Sequence, residues 1–118
     1  MILADTSVWV DHLRAPDPHL SSLPNRDEIL VHPWTIGEIA CGSFANRKRV
    51  IEFLQGLPQL NPASHDEVLL FLDGQQAFGK GIGYVDANLL TSALVEKCKV
   101  WTKDKRMGAI AAQLSLAH

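Results

Sequence analysis

Two short apolar runs, one near each end of the chain, lead to an aspartate. Ile2–Ala4 is followed at once by Asp5, and Val100–Thr102 is followed by Lys103 and then by Asp104. An apolar run of this length between polar residues predicts a buried strand of a parallel sheet. Ligands of open α/β sheets bind in the crevice at the carboxyl ends of the strands, so both aspartates are expected at such a crevice.

Between these runs, the spacing of apolar positions switches between the periods of strands and helices. The first half is predicted to contain strand Ile2–Ala4, helix Ser7–Leu13, a loop from Arg14 to Asn25, strand Glu28–His32, a helix opened by Pro33, helix Asn46–Gln55 ended by Gly56, and a strand Leu57–Leu60. The second half is predicted to contain a long helix from the capping box at Ser64–Glu67 to about Phe78, a glycine-rich turn at 79–83, helix Tyr84–Lys97, the strand that leads to Asp104, and helix Met107–Leu116. This alternation is typical of an α/β fold with a parallel sheet, here as a single domain over residues 1–118.

The composition fits one compact domain. The chain has 118 residues, of which 47% are hydrophobic, and this is enough for one core. No apolar run reaches the length of about 18 residues that a membrane span needs, and no signal peptide is visible before Ile2. We therefore expect a cytoplasmic protein without membrane attachment, in which Cys41 and Cys98 are buried thiols.

The charge balance leaves the type of partner open. Thirteen acidic and eleven basic residues give a formal net charge of −2, which by itself argues against nucleic acid binding. If four carboxylates bind metal, however, nine acidic residues remain against eleven basic ones, which leaves a net charge of +2. Basic residues cluster at Arg47–Arg49 and around Asp104. These clusters fit solvated helix and strand ends as well as they fit a rim that binds phosphate.

Asp86 has the most informative setting of the acidic residues. The apolar positions 89, 90, 93 and 94 lie three, four, seven and eight residues after it, so a helix would turn Asp86 toward the core. A buried carboxylate needs a partner or a metal, and a divalent cation keeps several carboxylates ionised together. The five histidines show no ligand spacing, which favours an all-oxygen site for Mg²⁺ or Mn²⁺ over a zinc site.

Each of the other acids also has a structural interpretation. Asp5 and Asp104 have the position and chemistry of helix N-caps. Thr35-Ile36-Gly37-Glu38 fits a capping box in which Glu38 reaches back to the Thr35 backbone. Asn88 is placed equally well near the same cleft or in solvent. The sequence leaves these alternatives open.

With its acids in this order, the chain resembles the PIN-domain family. The resemblance is carried by Asp5-Thr6-Ser7, Glu38 followed by Gly42, Asp86 in Gly83-Tyr84-Val85-Asp86-Ala87, and Thr102-x-Asp104. Its length and single domain are similar to the VapC-type toxins of type II toxin–antitoxin systems. The resemblance implies a PIN-like α/β fold with a parallel sheet of about four to five strands, flanked by helices on both faces. It also implies a metal-dependent endoribonuclease.

The resemblance assigns the acids to catalysis and metal binding. Asp5 and Asp86 would be the primary ligands of one or two Mg²⁺ or Mn²⁺ ions, and Glu38 and Asp104 would complete the set. Such ions lower the pKa of a bound water and polarise the scissile phosphate. Where many members carry a further acid or a small polar residue after the last aspartate, this chain has Lys105-Arg106.

Neighbouring polar residues are predicted to support this site. Hydroxyl groups that can hold the acids by hydrogen bonds belong to Thr6, Ser7 and Thr102. Basic residues expected to contact RNA phosphates are Lys80, Lys103, Lys105 and Arg106.

The resemblance also implies two protein partners, namely a small VapB-type antitoxin that blocks the active site and a second copy of the chain in a homodimer. Trp9, Leu13 and Trp34 adjoin the predicted site. They would serve as anchors for a partner helix, or they would be core residues.

Two other functional classes stay as alternatives. A Mg²⁺-dependent phosphotransfer signalling domain also places aspartates at strand ends, but it requires an acidic pair after the first strand, where this chain has Asp5-Thr6-Ser7. A catalytically inactive α/β domain that binds nucleic acid would use the basic rim and would need no metal.

Overall fold

The computed structural model describes residues 1–23 and 28–118, and within them strands and helices alternate. The strands are β1 (Ile2–Ala4), β2 (Ile29–Leu30) and β3 (Lys99–Trp101). The helices are α1 (Thr6–Arg14), α2 (Pro18–Ser22), α3 (Pro33–Ala40), α4 (Arg47–Gln55), α5 (His65–Gly74), α6 (Tyr84–Glu96) and α7 (Lys105–Gln113). The predicted α/β class is confirmed.

The sheet is parallel and has β1 in its centre. Its order is β2-β1-β3, with Leu3 opposite Leu30 on one side and opposite Val100 on the other. Single parallel bridges extend both edges, from Val31 to Gln59 and from Val100 to Ala117. The described residues thus contain three regular strands rather than four to five.

The predicted strand Leu57–Leu60 is reduced to one of these bridges. The Val31 N–H donates to the carbonyl of Pro58, and the Leu60 N–H donates to the Val31 carbonyl. Pro58 itself has no N–H to donate, so a regular ladder does not continue through this segment.

Successive strand residues point to opposite faces of the sheet, and each face is covered by helices. On one face Leu3 and Val100 pack with residues of α5, α6 and α7, among them Leu90 and Met107. On the other face Ala4, Ile29 and Val31 pack with α1, α2, α3 and α4 through Val8, Trp9, Leu20, Ile39 and Leu54. Helices therefore flank both faces, as predicted.

Local signals explain where the helices differ from the prediction. The predicted loop Arg14–Asn25 contains α2, because the Asp17 carboxylate caps the N–H groups of His19 and Leu20 and Leu20 is buried. Residues 24 and 25 of that loop lie outside the described residues. Helix α5 starts with the predicted capping box but ends at Gly74, ahead of the left-handed Gln76.

Two further findings concern predictions made from composition. Cys98 is buried, but Cys41 is exposed at the end of α3, so its prediction as a buried thiol is wrong. None of the helices in the described ranges is long and apolar enough to cross a membrane.

Candidate active site

Asp5 lies at the carboxyl end of β1 and is 4% exposed. It is the N-cap of α1, since its Oδ1 accepts a hydrogen bond from the Val8 N–H at 3.1 Å. The Ser7 hydroxyl donates to the same oxygen at 2.5 Å, and the Thr102 hydroxyl donates to Oδ2 at 2.5 Å. Asp5 is therefore held by a backbone group and a hydroxyl of α1 and by the hydroxyl of the residue that follows β3.

Glu38 is exposed on α3 and receives a hydrogen bond from a different helix. The Thr6 hydroxyl donates to its Oε1 at 2.6 Å. The alternative capping box with Thr35 is wrong, because α3 begins at Pro33 and its N-cap is His32. Thr35 instead lies buried inside the helix, and its hydroxyl has no hydrogen-bond partner within residues 1–23 and 28–118.

Asp86 occupies the first turn of α6, just after Gly83, and is half-buried. Burial raises the pKa of its carboxyl group most strongly, and the negative charges of Asp5, Glu38 and Asp104 raise that pKa further. A hydrogen bond with the Gly83 backbone acts in the opposite direction. The structure thus brings the other three predicted acids close enough to Asp86 for their charges to act on it, although the four come from separate segments of the chain.

Asp104 is exposed and is the N-cap of α7. Its Oδ1 accepts a hydrogen bond from the Met107 N–H at 3.0 Å. Its own N–H donates to the Thr102 hydroxyl at 3.0 Å, and that hydroxyl in turn donates to Asp5. Thr102 therefore connects the aspartates that follow the two paired strands β1 and β3.

The donor set suits a hard divalent cation. Carboxylate oxygens are the ligands preferred by Mg²⁺ and Mn²⁺, and a bound cation relieves the repulsion that raises the pKa of Asp86. As the side chains are oriented, no three His, Cys, Asp or Glu residues of the described ranges already form a metal cage. The four acids share a region and the right chemistry without being closed around one point.

The basic residues predicted near the acids do not all lie together. Lys80, Lys105 and Arg106 line one cavity of about 350 Å³ beside α7. Lys103 points elsewhere, since its ammonium group forms an ion pair with Asp11 on α1 at 2.9 Å. Its backbone N–H donates to the Ser7 hydroxyl at 3.0 Å.

A buried polar network beside the acids was not predicted from the sequence. His32 accepts a hydrogen bond from the Trp34 N–H, and its Nε2 lies 2.8 Å from the Asn88 Oδ1. Asn88 also donates to the Ala63 carbonyl and accepts from the Ser92 hydroxyl. Asn88 is fully buried, so its placement in solvent is wrong. The available signals were the polar positions 88, 91 and 92, which share one face of α6, and a histidine directly before the proline that opens α3.

Of the three predicted anchors for a partner, one is a core residue, one is partly buried and one is exposed. Trp9 is 3% exposed, so it is unavailable to a partner. Trp34 is partly buried and stacks on Tyr84 with ring centroids 5.7 Å apart. Leu13 is 37% exposed and lines a groove of about 410 Å³ together with Val10, Ile39, Phe44 and Glu38.

Comparisons with known proteins show the family to which the chain belongs. Residues 2–113 match the PIN domain family. Two curated relatives, both called Ribonuclease VapC32, come from Mycobacterium tuberculosis strains CDC 1551 / Oshkosh and ATCC 25618 / H37Rv. Each is 47% identical over 118 residues, covering 99% of this chain and 95% of the relative.

A solved structure shares the fold at much lower sequence identity. The crystal structure of PAE2754 from Pyrobaculum aerophilum matches with a TM-score of 0.68 and 16% identity, covering 97% of this chain and 94% of that one. The family match and the two relatives span nearly the whole chain. The chain therefore belongs to the PIN-domain family, with VapC-type ribonucleases among its relatives.

Proposed function

We propose that this chain is a metal-dependent endoribonuclease and the toxin of a type II toxin–antitoxin module. The proposal is carried by the convergence of four acids at the carboxyl end of a parallel sheet. Thr102 joins Asp5 to Asp104 by hydrogen bonds, and the charges of Asp5, Glu38 and Asp104 all act on Asp86. The relatives named Ribonuclease VapC32 support the same activity. Because its substrate is cellular RNA, the proposal places the protein in the cytoplasm.

In this proposal Asp5 and Asp86 are the primary ligands of one or two Mg²⁺ or Mn²⁺ ions, and Glu38 and Asp104 complete the set. A bound ion would supply an activated water and would stabilise the charge that develops on the phosphate. The hydroxyls of Ser7 and Thr102 orient Asp5, and the Thr6 hydroxyl orients Glu38. Removing a hydroxyl that orients a ligand carboxylate typically lowers metal affinity or activity 10–100-fold.

The surface features support two partners. The groove lined by Glu38 has apolar side chains from α1 and α3, so an apolar antitoxin segment bound there would contact Glu38 directly. For the homodimer, the segment around α5 exposes large apolar side chains. Leu70 is 73% exposed, Leu69 46% and Phe78 61%. Apolar side chains exposed to this degree in one segment are typical of an interaction surface.

The decisive test is cleavage of total RNA by the purified protein with Mg²⁺, with Mn²⁺ and with EDTA. We expect cleavage with either ion and none with EDTA. Asp86→Asn should lower the rate about a hundredfold or more, because this change removes a ligand rather than a group that only orients one. Mapping the cut ends would then define the site in the RNA.

The matched control is Asp73→Asn, the same change at an exposed position of α5. This variant should cleave like the wild type. Equal cleavage by the wild type and Asp86→Asn would refute the enzymatic proposal. If Mn²⁺ also fails to bind in calorimetry, the chain would be a nucleic-acid-binding domain without catalysis.

A further inference from the structure

Three basic side chains line a cavity beside α7, which we call the basic pocket and define as Lys80, Lys105 and Arg106. It has a volume of about 350 Å³, and its remaining lining residues are Ala109, Ile110 and Gln113 of α7. Within residues 1–23 and 28–118, no carboxylate lies within 4 Å of any of the three positive groups, whereas the nearby Lys103 is paired with Asp11.

Three like charges that share a pocket repel one another, so an anion bound among them stabilises the arrangement. The two walls of the basic pocket are the segments that carry the acids. Lys105 directly follows Asp104, and Lys80 lies in the turn that leads to Asp86. An anion in this pocket would therefore be a neighbour of the group held by the carboxylates.

The Arg106 side chain packs against Gly81, where the absence of a Cβ atom leaves room for it. Its φ is +82°, and a Cβ atom added there would be 2.7 Å from the Arg106 Cδ and 3.0 Å from one terminal nitrogen. Arg106 thus lies directly across the face of Gly81, in space that any other residue would fill. Gly79 has a similar φ of +69°, but an added Cβ would meet nothing within 4 Å.

We propose that the basic pocket binds one internal phosphodiester of the RNA strand adjacent to the scissile phosphate, and that Gly81 is the positioning residue that keeps Arg106 in place for it. Arginine suits this role because its guanidinium group can donate two parallel hydrogen bonds to a phosphate. The inference rests on the proposed function, since it takes RNA as the substrate.

The test compares the two glycines. Alanine is strained at both left-handed positions, but only the Cβ of Gly81→Ala displaces Arg106. Binding of a fluorescent 12-nucleotide single-stranded RNA is measured by anisotropy in EDTA, so that cleavage plays no part. Gly81→Ala should bind about tenfold more weakly than Gly79→Ala, in line with the loss of charged hydrogen bonds. For Gly81→Ala the plot of log K against log salt concentration should be shallower by about 0.7, the value for one phosphate contact with a single strand.

A charge control separates the pocket from overall charge. Arg106→Gln should reproduce the effect of Gly81→Ala, whereas Lys97→Gln, at the far end of α6, should change binding less than twofold. RNA with and without a 5′ phosphate should bind equally. If only the 5′-phosphorylated RNA depends on Arg106, the pocket binds a terminal monoester and the proposal is wrong.

The outcomes also separate this inference from the proposed function. If wild-type protein cleaves RNA with Mg²⁺ but Gly81→Ala and Gly79→Ala bind RNA equally, the basic pocket is refuted and the ribonuclease stands. If Gly81→Ala binds RNA more weakly than Gly79→Ala but the wild-type protein does not cleave RNA with Mg²⁺, the ribonuclease is refuted and the pocket stands.

Discussion

His32 is the residue whose replacement tests the described packing most directly. It is fully buried at the start of α3, and its neutral ring makes two different hydrogen bonds. Because Nδ1 accepts from the Trp34 N–H, the proton lies on Nε2 and is donated to the Asn88 Oδ1. The ring thereby connects the helix that carries Glu38 to the helix that carries Asp86. The perturbation is His32→Ala.

The expected loss of stability has three parts. Removing the N-cap bond to Trp34 costs about 1 kcal/mol. The lost buried bond to Asn88 costs about 1 kcal/mol more, since Asn88 keeps its bond from Ser92. The cavity left by the imidazole adds about 2 kcal/mol, at the lower end of large-to-small changes. The total of about 4 kcal/mol corresponds to a fall of about 15 °C in Tm for a domain of this size.

The assay is urea denaturation followed by tryptophan fluorescence, with His32→Asn as the matched variant. Asparagine is a good N-cap but is too short to reach Asn88, so His32→Asn should lose about 1 kcal/mol less than His32→Ala. A double-mutant cycle with Asn88→Ala should give a coupling energy of about 1 kcal/mol. A loss below 1 kcal/mol for His32→Ala, or strictly additive effects with Asn88→Ala, would refute this account of the network.

Burial and charge at three positions lead to three further predictions. Burial lowers the pKa of His32 below its ordinary 6.5, so the stability that its neutral ring contributes should be lost as the pH falls below that value. Between about pH 7 and pH 5 the urea midpoint should therefore fall more for the wild type than for His32→Asn, and an equal fall would contradict this. Burial and neighbouring charges raise the pKa of Asp86, so its ionised form disfavours the folded state at pH 7. Asp86→Asn should therefore raise the Tm in EDTA, and a lower Tm would contradict this. For the proposed homodimer, exposed Leu70 on α5 is the predicted contact, so Leu70→Glu should sediment as a monomer; a dimer that persists in this variant would contradict the prediction.

The features that could be predicted from the sequence are those set by neighbours in the chain. The strand before Asp5, the capping box at Ser64 and the inward turn of Asp86 each depend on a few adjacent residues, and the structure contains all three. The partner of Glu38 could not be found in this way. Thr6 lies 32 residues earlier in the chain, and the local Thr35 offered a complete but incorrect alternative.

Long-range packing also decided the residues that were misplaced. Trp9 was expected either as an exposed anchor or as a core residue. It is buried against residues of α3 and α4, and the local sequence around Trp9 does not reveal these contacts. His32 and Asn88 are 56 residues apart, so neither predicts the other. Ion pairing depends on long-range packing in the same way. Lys103 and Lys105 flank the same aspartate, yet only Lys103 forms an ion pair with a carboxylate of the described residues, because its side chain reaches Asp11 on α1.

The competing interpretations of Asp5 and Asp104, as N-caps or as metal ligands, are compatible because of the fold itself. In a parallel sheet, the residue that ends a strand often also begins the next helix, so its carboxylate meets backbone N–H groups and the ligand crevice at once. Asp5 and Asp104 each use Oδ1 for the cap. The Oδ2 atom of Asp5 faces Thr102 at the edge shared by β1 and β3. The cap fixes the direction of the carboxylate, and this fixed direction is what a metal ligand requires.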